Sequence, residues 1–229
     1  MAQIKLIDGL DMVVELRRSP RARRLSLRVS TLDGRVTLTV PTGVSEREAR
    51  AFASEKADWI VQNLKRQTAL VPVVHGAELP VEGVVRRIVS GTGRAARLLP
   101  ETITAPPECA GVKVAVLLKS LARDRLASAV DRYGSAIGRR ATAIKLRDTR
   151  SRWGSCSQGG NLMFSWRLIL APPDVLDYVA AHEVAHLAHM NHSPAFWGAV
   201  AEICPTYEGP RAWLRREGAS LHRYRFDAD

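Results

Sequence analysis

His182-Glu183-Val184-Ala185-His186 sets two imidazoles four residues apart, with a carboxylate beside the first. On an α-helix, positions i and i+4 differ by about 40° around the axis and about 6 Å along it, so both rings leave one face and can share an ion. Imidazole nitrogen suits tetrahedral zinc, whose catalytic sites take three protein ligands and leave a fourth position to water. Glu183 stands next to that position, where it can accept a proton from the water and later deliver one to a leaving group. The motif supplies two ligands and a base, and it requires a third ligand.

His192 is the candidate, six residues past His186 and after a turn that Asn191 can make in the left-handed conformation that ends helices. Ser193-Pro194 reads as the cap and first turn of another helix, through Phe196 and Trp197, that backs His192. His189 competes for the role. On a continuous helix it shares the face of His182 but rises about 10.5 Å beyond it, so one ion cannot bind His182, His186 and His189 together. Glu202 is a weaker alternative ligand. Arg152 and Trp153, ahead of Gly154, are candidates to border a substrate cleft, where an extended peptide could add as a strand. Tyr207 could donate a hydrogen bond to an oxyanion. Packing accounts for Trp153 equally well and for Tyr207 better, and Cys156 reads as a small buried thiol.

The elements that must position these groups follow from pattern and punctuation. Pro172-Pro173-Asp174 opens the motif's helix, whose apolar lead-in includes Val175, Leu176, Val179 and Ala180. Residues 159–161, Gly-Gly-Asn, turn the chain between a polar run ending at Ser157 and the strand-like Leu162 to Trp166, a hairpin. The alternating stretch Ile144 to Arg147 precedes it, and residues 112–138 carry a helical apolar face. Nearer the N-terminus, strand-like segments around Leu25 to Val29 and Val36 to Val40 flank Asp33-Gly34 and are expected to pair. Ser45 and Glu48 form a capping box for one helix through Leu64. Residues 70–111, rich in Val, Gly and Pro, read as short strands and loops without a chemical motif.

The 229 residues are 46% hydrophobic and 25% charged, which excludes a disordered or fibrous chain. Net charge is +11 and sits N-terminally: residues 1–70 and 71–140 each carry +5, residues 141–229 only +1. Arg17, Arg18, Arg21, Arg23, Arg24 and Arg28 form the densest run, a candidate contact for DNA phosphates, although an ordinary solvated basic surface explains it at least as well. No apolar run suits a membrane helix and no signal peptide is evident, so a cytoplasmic protein without a membrane partner is expected. Three widely spaced cysteines exclude a disulfide framework.

The stretch from Ile144 to Trp213, with Ser151-Arg152-Trp153-Gly154-Ser155-Cys156, Trp166-Arg167-Leu168, the HExxH motif and Asn191-His192-Ser193-Pro194-Ala195-Phe196-Trp197, resembles the YgjP-like metallopeptidase family, related to the SprT and WLM zinc metallopeptidases. The resemblance implies an α+β fold, a minimal zincin with helices on a small sheet. It also implies His182, His186 and His192 as zinc ligands and Glu183 as catalytic base, the set that spacing favours. A basic β-rich region with one helix is expected at 1–111 and the catalytic domain at 112–229. A metzincin would have glycine at position 189 and a later methionine turn, and neither is present. The leading expectation is a zinc peptidase acting on peptide or unfolded protein, with nucleic-acid-associated proteins suggested by the SprT and WLM relatives. Its rivals are a metal-dependent nucleotide hydrolase, weakened by the lack of a P-loop, and a non-enzymatic zinc-stabilised nucleic-acid-binding module, weakened by the presence of Glu183.

Overall fold

Alternation in the first seventy residues builds a sheet with one apolar face. The computed structural model describes residues 2–6, 12–30, 34–65 and 69–227, and these fall into two compact units divided between Ala69 and Leu70. In the first unit β1 (Ala2–Leu6), β2 (Met12–Ser19), β3 (Ser26–Val29) and β4 (Val36–Pro41) form a sheet ordered β1-β2-β4-β3. The expected pairing of β3 with β4 is present and antiparallel, with Leu27 opposite Leu38. Gly34 sits at φ 67, as a tight turn needs, while Asp33 lies outside the described residues.

Every second residue of β4 is buried, and with Val14, Ala49, Ala53 and Ile60 these close an apolar core between the sheet and two helices. The capping box forms as expected: Ser45 Oγ accepts from the Glu48 N–H, and the Ser45 N–H donates to Glu48 Oε2. The single expected helix is instead two, α1 (Glu46–Glu55) and α2 (Ala57–Lys65). They break at Lys56, whose N–H is shared between the Phe52 and Ser54 carbonyls; no glycine or proline marks the break.

The second unit begins with β5 (Val71–Pro72), β6 (Glu78–Val81), β7 (Val84–Ser90), β8 (Arg97–Leu98) and β9 (Thr102–Ala105). These strands do not belong with the N-terminal region, as a boundary at 111/112 would have it. Val73, Leu79, Val81, Ile88 and Ile103 enter the same core as the long helix α3 (Ala110–Ala136) and the elements after it. Short strands of this kind bury too little to be stable alone, and α3 supplies the apolar surface they cover.

After α3 come β10 (Ala143–Arg147), β11 (Gly154–Cys156) and β12 (Asn161–Ser165), ordered β10-β12-β11. β11 and β12 form the expected hairpin, with Gly160 in its turn at φ 73, and β10 runs parallel to β12. A 3₁₀ turn (Trp166–Leu170) leads to α4 (Pro173–Ala185), which starts at the proline pair as expected. Then follow α5 (Pro194–Ile203), α6 (Glu208–Glu217), a second 3₁₀ turn (Gly218–His222) and β13 (Tyr224–Arg225), which pairs with β5. The architecture is α+β. Among the described residues no helix is long and apolar enough to cross a membrane.

Buried Arg167 ties the C-terminal end to this frame. Its guanidinium bonds both Asp148 carboxylate oxygens (2.7 and 3.1 Å) and the Leu221 and Tyr224 carbonyls. It also lies over the Trp166 and Phe226 rings, so a buried cation is both paired and hydrogen-bonded.

Candidate metal centre

α4 is buried along most of its length, and His182, Glu183 and His186 lie at its end. The helix stops at Ala185, with His186 as its cap, rather than running on to His189. The chain then tightens: Leu187 N–H bonds Val184 O, and His189 N–H bonds Ala185 O. This places the His189 carbonyl 2.9 Å from His186 Nδ1, so the backbone of His189 orients the ring whose other nitrogen is left to bind. His189 contributes its carbonyl and not its side chain to the cluster.

Asn191 does not adopt the expected left-handed conformation, because the helix has already ended. Its Oδ1 accepts from the Ser193 N–H (3.3 Å), and Ser193 Oγ in turn caps α5 through the Phe196 N–H (3.4 Å). These bonds bring His192 back over α4. His182 Nε2 and His192 Nε2 are 3.1 Å apart, and one ligand atom from each of His182, His186 and His192 lies within 4.8 Å of the others. Neither Cys156 nor Glu202 belongs to this group. Phe196, fully buried, backs all three imidazoles at centroid distances of 4.4–4.9 Å, as the sequence suggested for the following helix.

The donor set fits a divalent cation. Bonds of about 2.0–2.1 Å in a tetrahedron put ligand atoms about 3.3 Å apart, close to the separation of the two Nε2 atoms. Burial first, then the neighbouring imidazoles, lowers His182 to about 3, and burial lowers His186 as well. Neutral rings are what ligation needs.

Glu183 is 5% exposed and its Oε2 has no hydrogen-bond partner. Burial pushes its carboxyl up to about 8, against the opposing pull of Arg152. The close neighbour is Gly154: a Cβ built there would stand 2.5 Å from Glu183 Oε1 and 2.6 Å from its Cγ. β11 therefore runs past the carboxylate at a distance only glycine permits. Gly154 stood in the sequence motif without a role, and its neighbour in space is 29 residues away in the chain.

β11 is the edge of its sheet. Trp153 O and Ser157 N bond β12, so alternation turns the backbone groups of Gly154 and Cys156 toward the open side. Trp153 stacks on His222 (5.0 Å) and lies against Gly218, a packing position. Arg152 is exposed. Tyr207 stacks on Trp197 (5.6 Å) and Tyr178 (6.3 Å), and Tyr178 reaches His182 edge-on. Arg211 covers Trp197 at 4.2 Å; only the fold relates it to the site. In the first unit Arg17, Arg18, Arg21, Arg23, Arg24 and Arg28 are all exposed, and Arg18 donates to Val44 O.

Comparison with known proteins gives a family. Residues 23–217 match the family described as YgjP-like, metallopeptidase domain. No curated protein matches. Among solved structures the chain is similar to the crystal structure of the metallopeptidase zymogen of Pyrococcus abyssi abylysin, at 19% identity and a TM-score of 0.37, over 43% of this chain and 97% of that one.

Proposed function

The chain belongs to the YgjP-like metallopeptidase-domain family, and from that premise we propose that it is a zinc-dependent peptidase acting on extended peptide or unfolded protein. The observation that carries the reading is the convergence of three imidazole donors beside a buried carboxylate whose Oε2 has no partner. A structural metal site has no use for such a group. His182, His186 and His192 would hold the ion. When bound, zinc supplies Lewis acidity toward a scissile carbonyl and toward an attacking water.

The chain's own residues do the rest. Glu183 holds and moves the proton at its carboxylate, between the water and the leaving nitrogen. Gly154 keeps that carboxylate against β11, and the His189 carbonyl fixes the ring of His186. The outward N–H and C=O groups of Gly154 and Cys156 can bond an extended backbone, which brings a peptide along the edge that Glu183 abuts. Arg152, exposed two residues before β11, would be a substrate contact, whereas Trp153 and Tyr207 act through packing.

The experiment compares wild type and Glu183→Gln, both loaded with zinc, on an unfolded protein substrate. The variant is expected to keep its metal and fold and to lose at least about 100-fold in rate. Equal turnover would remove Glu183 from the mechanism, and phosphate release from nucleotides without peptide cleavage would favour the hydrolase rival. The exposed arginines of the first unit support a second proposal, that this unit contacts DNA phosphates. DNA affinity should fall steeply with salt, and substituting Arg21, Arg23 and Arg24 should flatten that slope; absence of binding at low salt would end it.

A further inference from the structure

We infer that the site favours substrates bearing a carboxylate, which Arg211 and Arg215 of α6 receive beside the imidazole cluster; the inference rests on the peptidase reading and names its substrate class. α6 packs on α4. The Arg211 guanidinium carbon lies over the Trp197 ring, 4.2 Å from its centroid, and that ring stands 5.8 Å from His182 and 5.9 Å from His192. Tyr207 stacks on Trp197 as well, so the indole that carries the guanidinium is itself held in place. Arg215, one helical turn on, joins Arg211, Arg216, Ala212 and Glu208 in an open surface cavity along α6.

Partners distinguish these cations. Arg216 is paired with Glu217 at 2.8 Å. Among the described residues no carboxylate forms an ion pair with Arg211, Arg215 or Arg152, and Glu208, the one acid of the cavity, is not bonded to either of the first two. Arg152 adds a third, exposed guanidinium two residues before the Gly154 that Glu183 abuts. Like charges gathered around a cluster suited to a dication repel one another, and an anionic group in the substrate relieves that repulsion. A guanidinium fixed by stacking has lost its rotational freedom before binding and offers a planar fork to a carboxylate.

The carboxylate could belong to an Asp or Glu side chain or to a peptide C-terminus, and the test separates the two. Fluorogenic peptides are paired so that they differ only by Glu or Gln at one position, scanned along the sequence, each with a free or an amidated C-terminus. kcat/KM is measured on the zinc-loaded wild type, Arg211→Gln, Arg211→Lys and Arg215→Gln, and Kd on zinc-loaded Glu183→Gln by fluorescence anisotropy. The expected result is a preference of about tenfold or more for Glu at one position, or for the free terminus, in both rate and binding. Arg211→Gln should bring the ratio close to one, Arg211→Lys should restore part of it, and added salt should reduce it. Cleavage of all peptides at similar rates, or a preference that Arg211→Gln and Arg215→Gln both leave intact, would overturn the inference while the peptidase reading stands. Charge-selective binding without any cleavage would overturn the peptidase reading and leave carboxylate recognition. Neither binding nor cleavage would overturn both.

Discussion

The two units treat polar groups in opposite ways. In the first, the described core is wholly apolar and the arginines lie on the surface; in the second, Arg86, Ser165, Arg167, Glu183 and His186 are all buried. Burying a charged or polar group costs free energy unless it is paired. Arg167 meets that requirement with two carboxylate and two carbonyl bonds, whereas Glu183 Oε2 and His182 Nδ1 do not. Among the described residues all five buried side-chain polar atoms without a partner lie in the second unit, two of them at the metal centre, and the first unit has the economy of a module built only to fold and present a surface.

If that contrast holds, a cavity in the first core should leave the metal centre alone. Leu38→Ala, at a fully buried position of β4, is expected to destabilise the first unit by about 2–5 kcal/mol. Hydrogen exchange should show the loss there while zinc content is unchanged; loss of zinc in this variant would mean the units are not energetically separate. Chelation is the converse experiment. Removing a metal present at 100–1,000 times its Kd should cost roughly 3–4 kcal/mol, and exchange protection should fall around α4 and α5 but not in β2 or β4.

A smaller effect sharpens the role of Gly154. Gly154→Ala must displace Glu183 or β11 and is expected to cost about 1–3 kcal/mol. Combining it with Glu183→Ala should recover most of that loss, since the clash is with that side chain, and additive losses in the double-mutant cycle would show that the strain lies elsewhere.

The smallest effect concerns acid. All six histidines lie in the second unit, and burial, with the Arg167 charge next, lowers His222 to about 4. Asp148 opposes that shift and Arg150 adds to it. Because the folded value lies below the unfolded 6.5, the unfolded chain binds the proton more readily. Stability is full above pH 6.5 and declines as pH falls toward 4. His222→Phe, which keeps the stack on Trp153, should make that decline shallower by about 1–2 kcal/mol after allowance for solvent screening, in the chelated protein and in the second unit alone. An unchanged pH profile would remove His222 as a source of the slope.

Much of this was legible in the chain because it depends on neighbours in sequence. The capping box at Ser45 and Glu48, the hairpin at Gly160 and the proline start of α4 are local backbone chemistry, and the i, i+4 histidines follow from helical geometry. Expectation and structure part where packing decides. The break at Lys56 carries no breaker residue, and the short strands after Leu70 disclose their unit only by sharing a core with α3.

The sequence alone determined which groups could bind an ion and which could move a proton, since residue type and spacing along one helix are enough for that. Tertiary structure decided what surrounds them: that β11 passes Glu183 where only glycine fits, that the His189 carbonyl orients His186, and that Arg211 stacks on Trp197 beside the cluster. Contacts between β11 and α4, or between α6 and α5, join residues many positions apart, and no periodicity records them. Close packing of side chains fixes such approaches, and it exists only once the chain has folded.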